Sequence, residues 1–215
     1  MSDMTAWLVV WPVVIPLIGA ALAIALWGRA NAQSAIGLIS VALQLVASLA
    51  LLGHVWTNGP IAMAIGGWPA PFGIALAADT LGAGLTAAAS AVALVILVYG
   101  LADTDIEHRR AGIIPLLLAL MMGVAGAFLT ADIFNLYVWF EVTLISSFGL
   151  MVLGGRREQL DGAVKYAFLN LLATTLLLIA IALLYGMTGT LNMADLSGKV
   201  AALPDDAPVE TIALL

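Results

Sequence analysis

The chain contains no cysteine, only two histidines and only seven lysines and arginines among its 215 residues. Without cysteine there is no disulfide framework, no thiol chemistry, no iron–sulfur cluster and no cysteine-ligated zinc. His54 and His108 alone leave little from which to build a histidine metal site, and none is expected. Charge is scarce as well: 9% of residues are charged, against roughly 25% in ordinary soluble domains. The formal net charge of −6 argues against a nucleic-acid partner. What the chain has instead is apolar surface, with 63% hydrophobic residues and a mean hydropathy of +1.12. That excludes a soluble globular domain, and it excludes a disordered chain, which could not keep so much apolar surface solvated. The expected solvent is the lipid bilayer.

A helix needs about 20 mostly apolar residues to cross the hydrocarbon. Six windows qualify: 7–27, 35–55, 80–101, 111–131, 133–153 and 162–186. Of the 20 charged residues, 18 lie outside these windows, the exceptions being Glu141 and Lys165. The expected fold is an all-α polytopic membrane protein, one membrane domain over 1–215 with about six transmembrane helices. Asn31–Ser34 is expected to connect the first two spans, and Asp103–Arg110 the third and fourth. The fourth and fifth nearly meet at Asp132, which predicts a tight turn or a re-entrant kink. Residues 209–215, after the polar stretch with Pro204, Asp205, Asp206 and Pro208, read as the start of a seventh span.

The first span does not read as a secretory signal, because Met1–Ala6 carries Asp3 and no cation and the apolar run is too long. Cations fix the expected orientation. Arg29, Arg109, Arg110, Arg156 and Arg157 fall on one side and only Lys199 on the other. The N-terminus is therefore expected on the extracytoplasmic side of the membrane. On the outer side, Ile61–Ile65 and Ile74–Ala78 flank Gly66-Gly-Trp-Pro-Ala-Pro-Phe-Gly73, which predicts a short β-hairpin on the membrane surface, the alternative being a hydrophobic plug.

Glu141 lies two residues from the midpoint of its span, about 3 Å along the axis. A carboxylate at that depth costs a few kcal/mol, and its side chain is too short to snorkel out. Desolvation favours its neutral form and a nearby cation its charged form, so it can carry a proton; the structural alternative is a neutral Glu bridging two helices. Lys165 stands three residues inside its span, where a snorkelling anchor is a common use of lysine. Level midpoints put it about 16 Å from Glu141 along the axis, too far for an ion pair. Polar stripes at helical spacing run through Ser40, Gln44 and Ser48, and through Tyr166, Asn170 and Thr174; Tyr137 lies one turn before Glu141. Such stripes more often bond helices together than conduct protons. Gly84, Ala87, Ala88 and Ala91 read as a close-packing face. Asp79 and Asp132 sit at the outer mouths of spans, where they either cap helices or collect cations, capping being the default. His54 and His108 read as interfacial polar residues. No phosphate loop, dinucleotide fingerprint, nucleophile elbow, quinone or haem pattern is present, so no enzyme chemistry and no cofactor are expected of this chain itself.

The stretch Ala131-Asp-Ile-Phe-Asn-Leu-Tyr-Val-Trp-Phe-Glu141-Val-Thr-Leu-Ile-Ser-Ser-Phe-Gly-Leu-Met-Val-Leu153 resembles the D-type subunit of the Mrp-type multisubunit Na+/H+ antiporters. That protein belongs to an antiporter-like family shared with proton-pumping NADH–quinone oxidoreductase (complex I) and membrane-bound hydrogenases. Gly66–Gly73, Gly162-Ala-Val-Lys165-Tyr-Ala-Phe-Leu-Asn170 and Leu184-Tyr-Gly-Met-Thr-Gly-Thr-Leu-Asn-Met-Ala-Asp195 carry the same resemblance. It implies an ion-translocating subunit in which Glu141 is the proton-pathway carboxylate and Lys165 a relay member. It also implies a fold of about fourteen spans built on inverted repeats, of which this chain resembles the N-terminal part. Partners implied are the other membrane subunits, protons and a monovalent cation, Na+ first. A complex I or hydrogenase-type subunit is the runner-up, and a non-transporting membrane scaffold the reading from another class.

Overall fold

The computed structural model describes residues 5–68, 71–103, 111–204 and 208. His108, Arg109, Arg110 and the expected seventh span at 209–215 lie outside the described residues, as do Pro69 and Ala70 of the hairpin turn. The described chain forms seven α-helices: α1 (Trp11–Ala25), α2 (Ala30–Asn58), α3 (Thr80–Asp103), α4 (Ile113–Leu129), α5 (Ile133–Val152), α6 (Arg157–Thr188) and α7 (Met193–Ala201). The first six fall in the six apolar windows.

Four of them (α2, α3, α5 and α6) are both long and apolar enough to cross a membrane. The other two, α1 and α4, have 15 and 17 residues, about 22 and 25 Å, short of the roughly 30 Å hydrocarbon thickness. A 3-10 turn at Trp7–Val9 extends the first of them at its N-terminal end. By contrast, α6 has 32 residues, about 48 Å, and runs five residues before its apolar window and two beyond it. Its first turns, with Arg157, Glu158 and Asp161, are therefore matched to the headgroup layer and not to hydrocarbon.

Two expected connectors are corrected. Asn31–Ser34 is not a loop: α2 already begins at Ala30, and the turn is Leu26–Arg29, with Gly28 at a φ of 82°. The polar run misled because two of its members, Gln33 and Ser34, are buried inside the bundle. At Asp132 there is no re-entrant kink but an extended passage, Thr130–Asp132, between α4 and α5.

The bundle is organised around α4, which touches α1, α2, α3 and α5, while α6 packs chiefly on α5. Pro16 lies inside α1, so the Pro12 carbonyl loses its helical donor. Gln44 Nε2 of α2 supplies it at 2.9 Å and also reaches the Met121 carbonyl of α4 at 3.2 Å. Gln33 Nε2 does the same for Ala23 O at the end of α1, at 2.9 Å; Trp27 N, the donor that carbonyl would otherwise meet, turns to Ile24 O. The Ser40–Gln44–Ser48 stripe is thus buried between helices as bonding and packing surface. The Ser40 side chain fills the space beside Gly19, and Ser48 Oγ donates to Gln44 O at 2.8 Å.

The small-residue face of α3 is rotated from the expected one. Of the four residues named, only Ala87 is buried, and Gly84 faces open space. The packed face runs through Gly82, Ala83, Thr86, Ala87, Ser90, Ala93 and Leu97. Gly82 is the close approach, since a Cβ there would lie 2.6 Å from Phe128 O. Small residues occur all round α3, so composition alone did not fix the phase.

The hairpin forms as expected, β1 (Ile61–Ala64) pairing antiparallel with β2 (Ala75–Ala78), Ile61 opposite Ala78. It also shares the plug character, because Leu76 and Ala78 are buried against Val9, Leu51, Val55 and Leu129. Trp7, Trp11, Trp56 and Trp68 are exposed toward this end and Trp27 toward the other, the placement of aromatic belts. Between the belts the outer surface is Leu, Ile and Val, including Leu17, Ile39, Val46, Val95 and Leu172. This is a polytopic membrane protein.

Candidate functional site

Glu141 projects from α5 into a groove between α5 and α6, about 230 Å³ in volume. Its polar lining is Glu141, Tyr166, Asn170 and Thr174; Leu144, Phe148 and Leu171 are among the apolar walls. The predicted α6 stripe therefore faces the predicted carboxylate, which spacing within one helix could not reveal. A second recess of about 290 Å³ shares Asn170 and Thr174 and continues past Phe140 and Thr143. Tyr137, one turn before Glu141 on the same helix face, interacts electrostatically with the carboxylate.

Glu141 keeps a mid-span place in α5. It is half-buried in this chain, not enclosed, because its groove opens along the rim of the bundle beside exposed Phe140 and Ile145. Among the described residues only α6 covers that face, and α6 is itself largely exposed.

Ser147 was not singled out in the sequence. Its Oγ meets Tyr166 OH at 3.0 Å and ties α5 to α6. That contact also sets the levels of the two antiparallel helices. Lys165 stands near Phe148, seven residues from Glu141 or about 10 Å along the axis. The gap is shorter than the sequence midpoints implied, yet still beyond an ion pair.

Lys165 does not line the groove. It is exposed and bonds Asp161 Oδ2 at 2.7 Å, one turn earlier on the same helix. The apolar window had cut Asp161 away from the helix, so sequence reading missed this partner. Within the groove, Asn170 Nδ2 is held by Tyr166 O at 2.9 Å, and Thr174 Oγ1 reaches Leu171 O at 3.4 Å.

Both mouth aspartates are helix caps. Asp79 Oδ1 accepts from Gly82 N at 2.7 Å, and Asp132 Oδ1 from Asn135 N at 2.7 Å. Burial pushes the Asp132 carboxyl above its ordinary range, against the opposing pull of backbone donors at Asn135 and Phe134. His54 is half-buried near the end of α2 with Asn58 beside it. Among the described residues no group of three His, Asp or Glu could hold a metal.

Residues 130–213 match the family described as NADH:quinone oxidoreductase/Mrp antiporter, transmembrane. The D-type subunit of the Na(+)/H(+) antiporter of Alkalihalophilus pseudofirmus is 38% identical over 97% of this chain and 42% of the relative. The chain thus spans less than half the length of that curated relative. The structure of an Mrp complex from a Dietzia species superposes with a TM-score of 0.82 at 28% identity, covering 93% of this chain and 39% of that one. The membrane-bound sulfane sulfur reductase, an archaeal respiratory membrane complex, gives 0.83 at 29% identity, over 99% and 43%. Sequence and fold agree, and the chain belongs to the antiporter-like membrane proteins typified by the D-type Mrp subunit.

Proposed function

We propose that this chain is the Glu141-bearing part of the ion-translocating subunit of a multisubunit cation/proton antiporter, exchanging protons for a monovalent cation, Na+ first. The observation that carries the reading is a carboxylate in mid-span, facing a groove whose other polar groups come from the next helix. In a low-dielectric surround the neutral form is favoured, while water or a cation entering the groove favours the charged form. Small changes in groove occupancy therefore load or unload the proton. Tyr137, one turn away, is placed to stabilise the ionised carboxylate; Asn170 and Thr174 offer oxygen partners to water.

Lys165 and Asp161 form the approach from the other end of α6. A proton crosses the remaining distance to Glu141 through water in the groove past Tyr166, not by a direct ion pair. The N-terminus faces outward, on the five-to-one asymmetry of loop cations. Other membrane subunits of the complex are the partners.

The test is proton-coupled cation flux in everted vesicles carrying the whole complex, with assembly checked by purification. Glu141→Gln keeps shape and hydrogen bonding but carries no proton, and is expected to abolish flux; Glu141→Asp keeps part of it at a shifted pH optimum. Wild-type flux from an assembled Glu141→Gln complex returns Glu141 to a helix-bridging role. Single cysteines at Asn31 and Glu158 are expected to resist an impermeant thiol reagent in intact cells, and labelling of both reverses the orientation. The likeness to the respiratory complex supports a second reading, a proton-translocating subunit of a redox-driven enzyme. Subunits that co-purify with the native chain distinguish the two.

A further inference from the structure

The starts of α5 and α7 are built alike and joined to each other. Asp132 and Asn192 face one another across an antiparallel bridge. Around it the backbone bonds are reciprocal: Ile133 N donates to Leu191 O at 2.9 Å, and Met193 N to Ala131 O at 2.8 Å. Each facing residue caps its own helix, Asp132 Oδ1 taking Asn135 N at 2.7 Å and Asn192 Oδ1 taking Asp195 N at 3.2 Å. Each is preceded by a threonine whose hydroxyl accepts its N–H, Thr130 at 3.3 Å and Thr190 at 3.4 Å. Each threonine is also coupled to the side chain five residues on: Asn135 Nδ2 donates to Thr130 at 2.9 Å, and the Thr190 hydroxyl holds the Asp195 carboxyl below its ordinary range. Thr130-x-Asp132-x-x-Asn135 and Thr190-x-Asn192-x-x-Asp195 are one motif used twice about a local two-fold axis. On its other side Ala131 N donates to Ala75 O of β2 at 2.9 Å.

We infer that this paired cap is a lock that positions Glu141: it fixes the first turn of α5 to the first turn of α7 and to the hairpin, so that Asp132 and Asn192 are positioning residues for the carboxylate. Glu141 stands nine residues after Asp132, about 13 Å along a helix whose far side has few neighbours. A rotation or slide of α5 at its capped end is carried along the helix to Glu141, opposed on one side by the α4 packing at Gly123 and Gly126 and by little on the open side. Thr130, Asp132, Asn135 and Thr190 are all buried or nearly so, so these bonds are not traded freely for bonds to water. The Asp132 carboxylate acts as an acceptor and not as a charge, since asparagine does the same work at the symmetric position. The functional half of this inference rests on the reading of Glu141 as the proton-carrying group.

Amide hydrogen exchange on the assembled complex tests the lock without reference to transport. Loss of a cap weakens a helix start by a factor of about five in its opening equilibrium. Asn192→Ala is expected to speed exchange at the first turn of α7 by about fivefold and, through the bridge, at the first turn of α5 as well. Asn192→Asp and Asn192→Ser, which restore an acceptor, are expected to restore both. Unchanged exchange in α5 when Asn192 is removed overturns the lock.

For positioning, the pH profile of flux is the readout. The titratable groups around Glu141 are Tyr137 on its own helix and Tyr166 across the groove, and α4 brings none. Asn192→Ala lies outside the proposed proton route, yet it is expected to displace the pH of half-maximal flux; the exchanged pair Asp132→Asn with Asn192→Asp is expected to keep the wild-type profile. Loss of flux in Asp132→Asn with normal exchange overturns the acceptor role and makes Asp132 a charge at the mouth. An Asn192→Ala profile identical to wild type, while Glu141→Gln is inactive, overturns positioning alone. Full flux in Glu141→Gln removes the functional reading and leaves the lock to the exchange result.

Discussion

Polar side chains in the α1–α4 bundle and polar side chains along the α5–α6 seam are of the same kinds but do opposite work. In the bundle, Gln33 and Gln44 are wholly buried and their amides close backbone carbonyls that a proline or a helix end left open. Along the seam, Glu141, Tyr166 and Asn170 are half-buried around open volume, and their bonds run mostly to their own helix. The difference follows from what the neighbouring helix offers. Where it offers an unpaired carbonyl, a polar group becomes structural; where it offers space, the group stays available to water and ions.

The largest expected effect breaks the bundle side of this comparison. Gln44→Leu leaves the Pro12 carbonyl unpaired in hydrocarbon and is predicted to cost about 2–3 kcal/mol, read as a lower unfolding midpoint in nanodiscs. Asn170→Leu, at the seam, is predicted to change stability by less than about 0.5 kcal/mol while reducing flux. Equal stability losses in the two variants erase the distinction. Next comes Gly126→Ala, where a Cβ meets the Trp139 ring at less than ordinary contact distance. Overpacking there is predicted to cost about 1–2 kcal/mol, with altered Trp fluorescence as the local readout.

These two predictions also mark what the sequence made legible. Apolar runs disclosed six helices because a bilayer leaves the backbone little other choice, and flanking Gly and Pro disclosed the hairpin. Asp79 and Asp132 were legible as caps because the cap bond is local. Gln44 was visible only as a member of a stripe, since its partners are 32 and 77 residues away. Asp161 was invisible as the partner of Lys165 because the helix continues beyond the hydrocarbon, where hydropathy stops reporting. That Glu141 faces the α6 stripe depends on the mutual rotation of two helices, and no single-helix pattern encodes that rotation.

Smaller effects come from the cap carboxylates. Burial holds the Asp132 pKa above 3.8, so its protonated form is the better folded one. Stability from this group is present below 3.8 and lost as pH rises through the raised value. Asp132→Asn is accordingly predicted to gain in midpoint relative to wild type as pH rises from 4 toward 7. Asp195 runs the other way. The Thr190 hydroxyl, and after it Lys199, hold its pKa below 3.8 against partial desolvation, so its contribution is present above 3.8 and lost as pH falls through the lowered value. A Thr190→Val variant is predicted to lose that acid-side dependence.

The smallest effect belongs to the exposed Lys165–Asp161 pair. Asp161→Asn is predicted to change stability by less than about 0.5 kcal/mol. If Lys165 takes part in proton delivery, Lys165→Arg lowers flux despite intact assembly, because guanidinium does not release its proton; full activity identifies an anchor.

The proline in α1 has a consequence for how the chain enters the bilayer. As α1 leaves the translocon, its Pro12 carbonyl has no donor within its own helix. The donor arrives with Gln44, 32 residues later. Until α2 has followed, α1 alone would present a bare carbonyl to lipid, costing several kcal/mol. The two helices are therefore expected to partition into the membrane together as a helical hairpin.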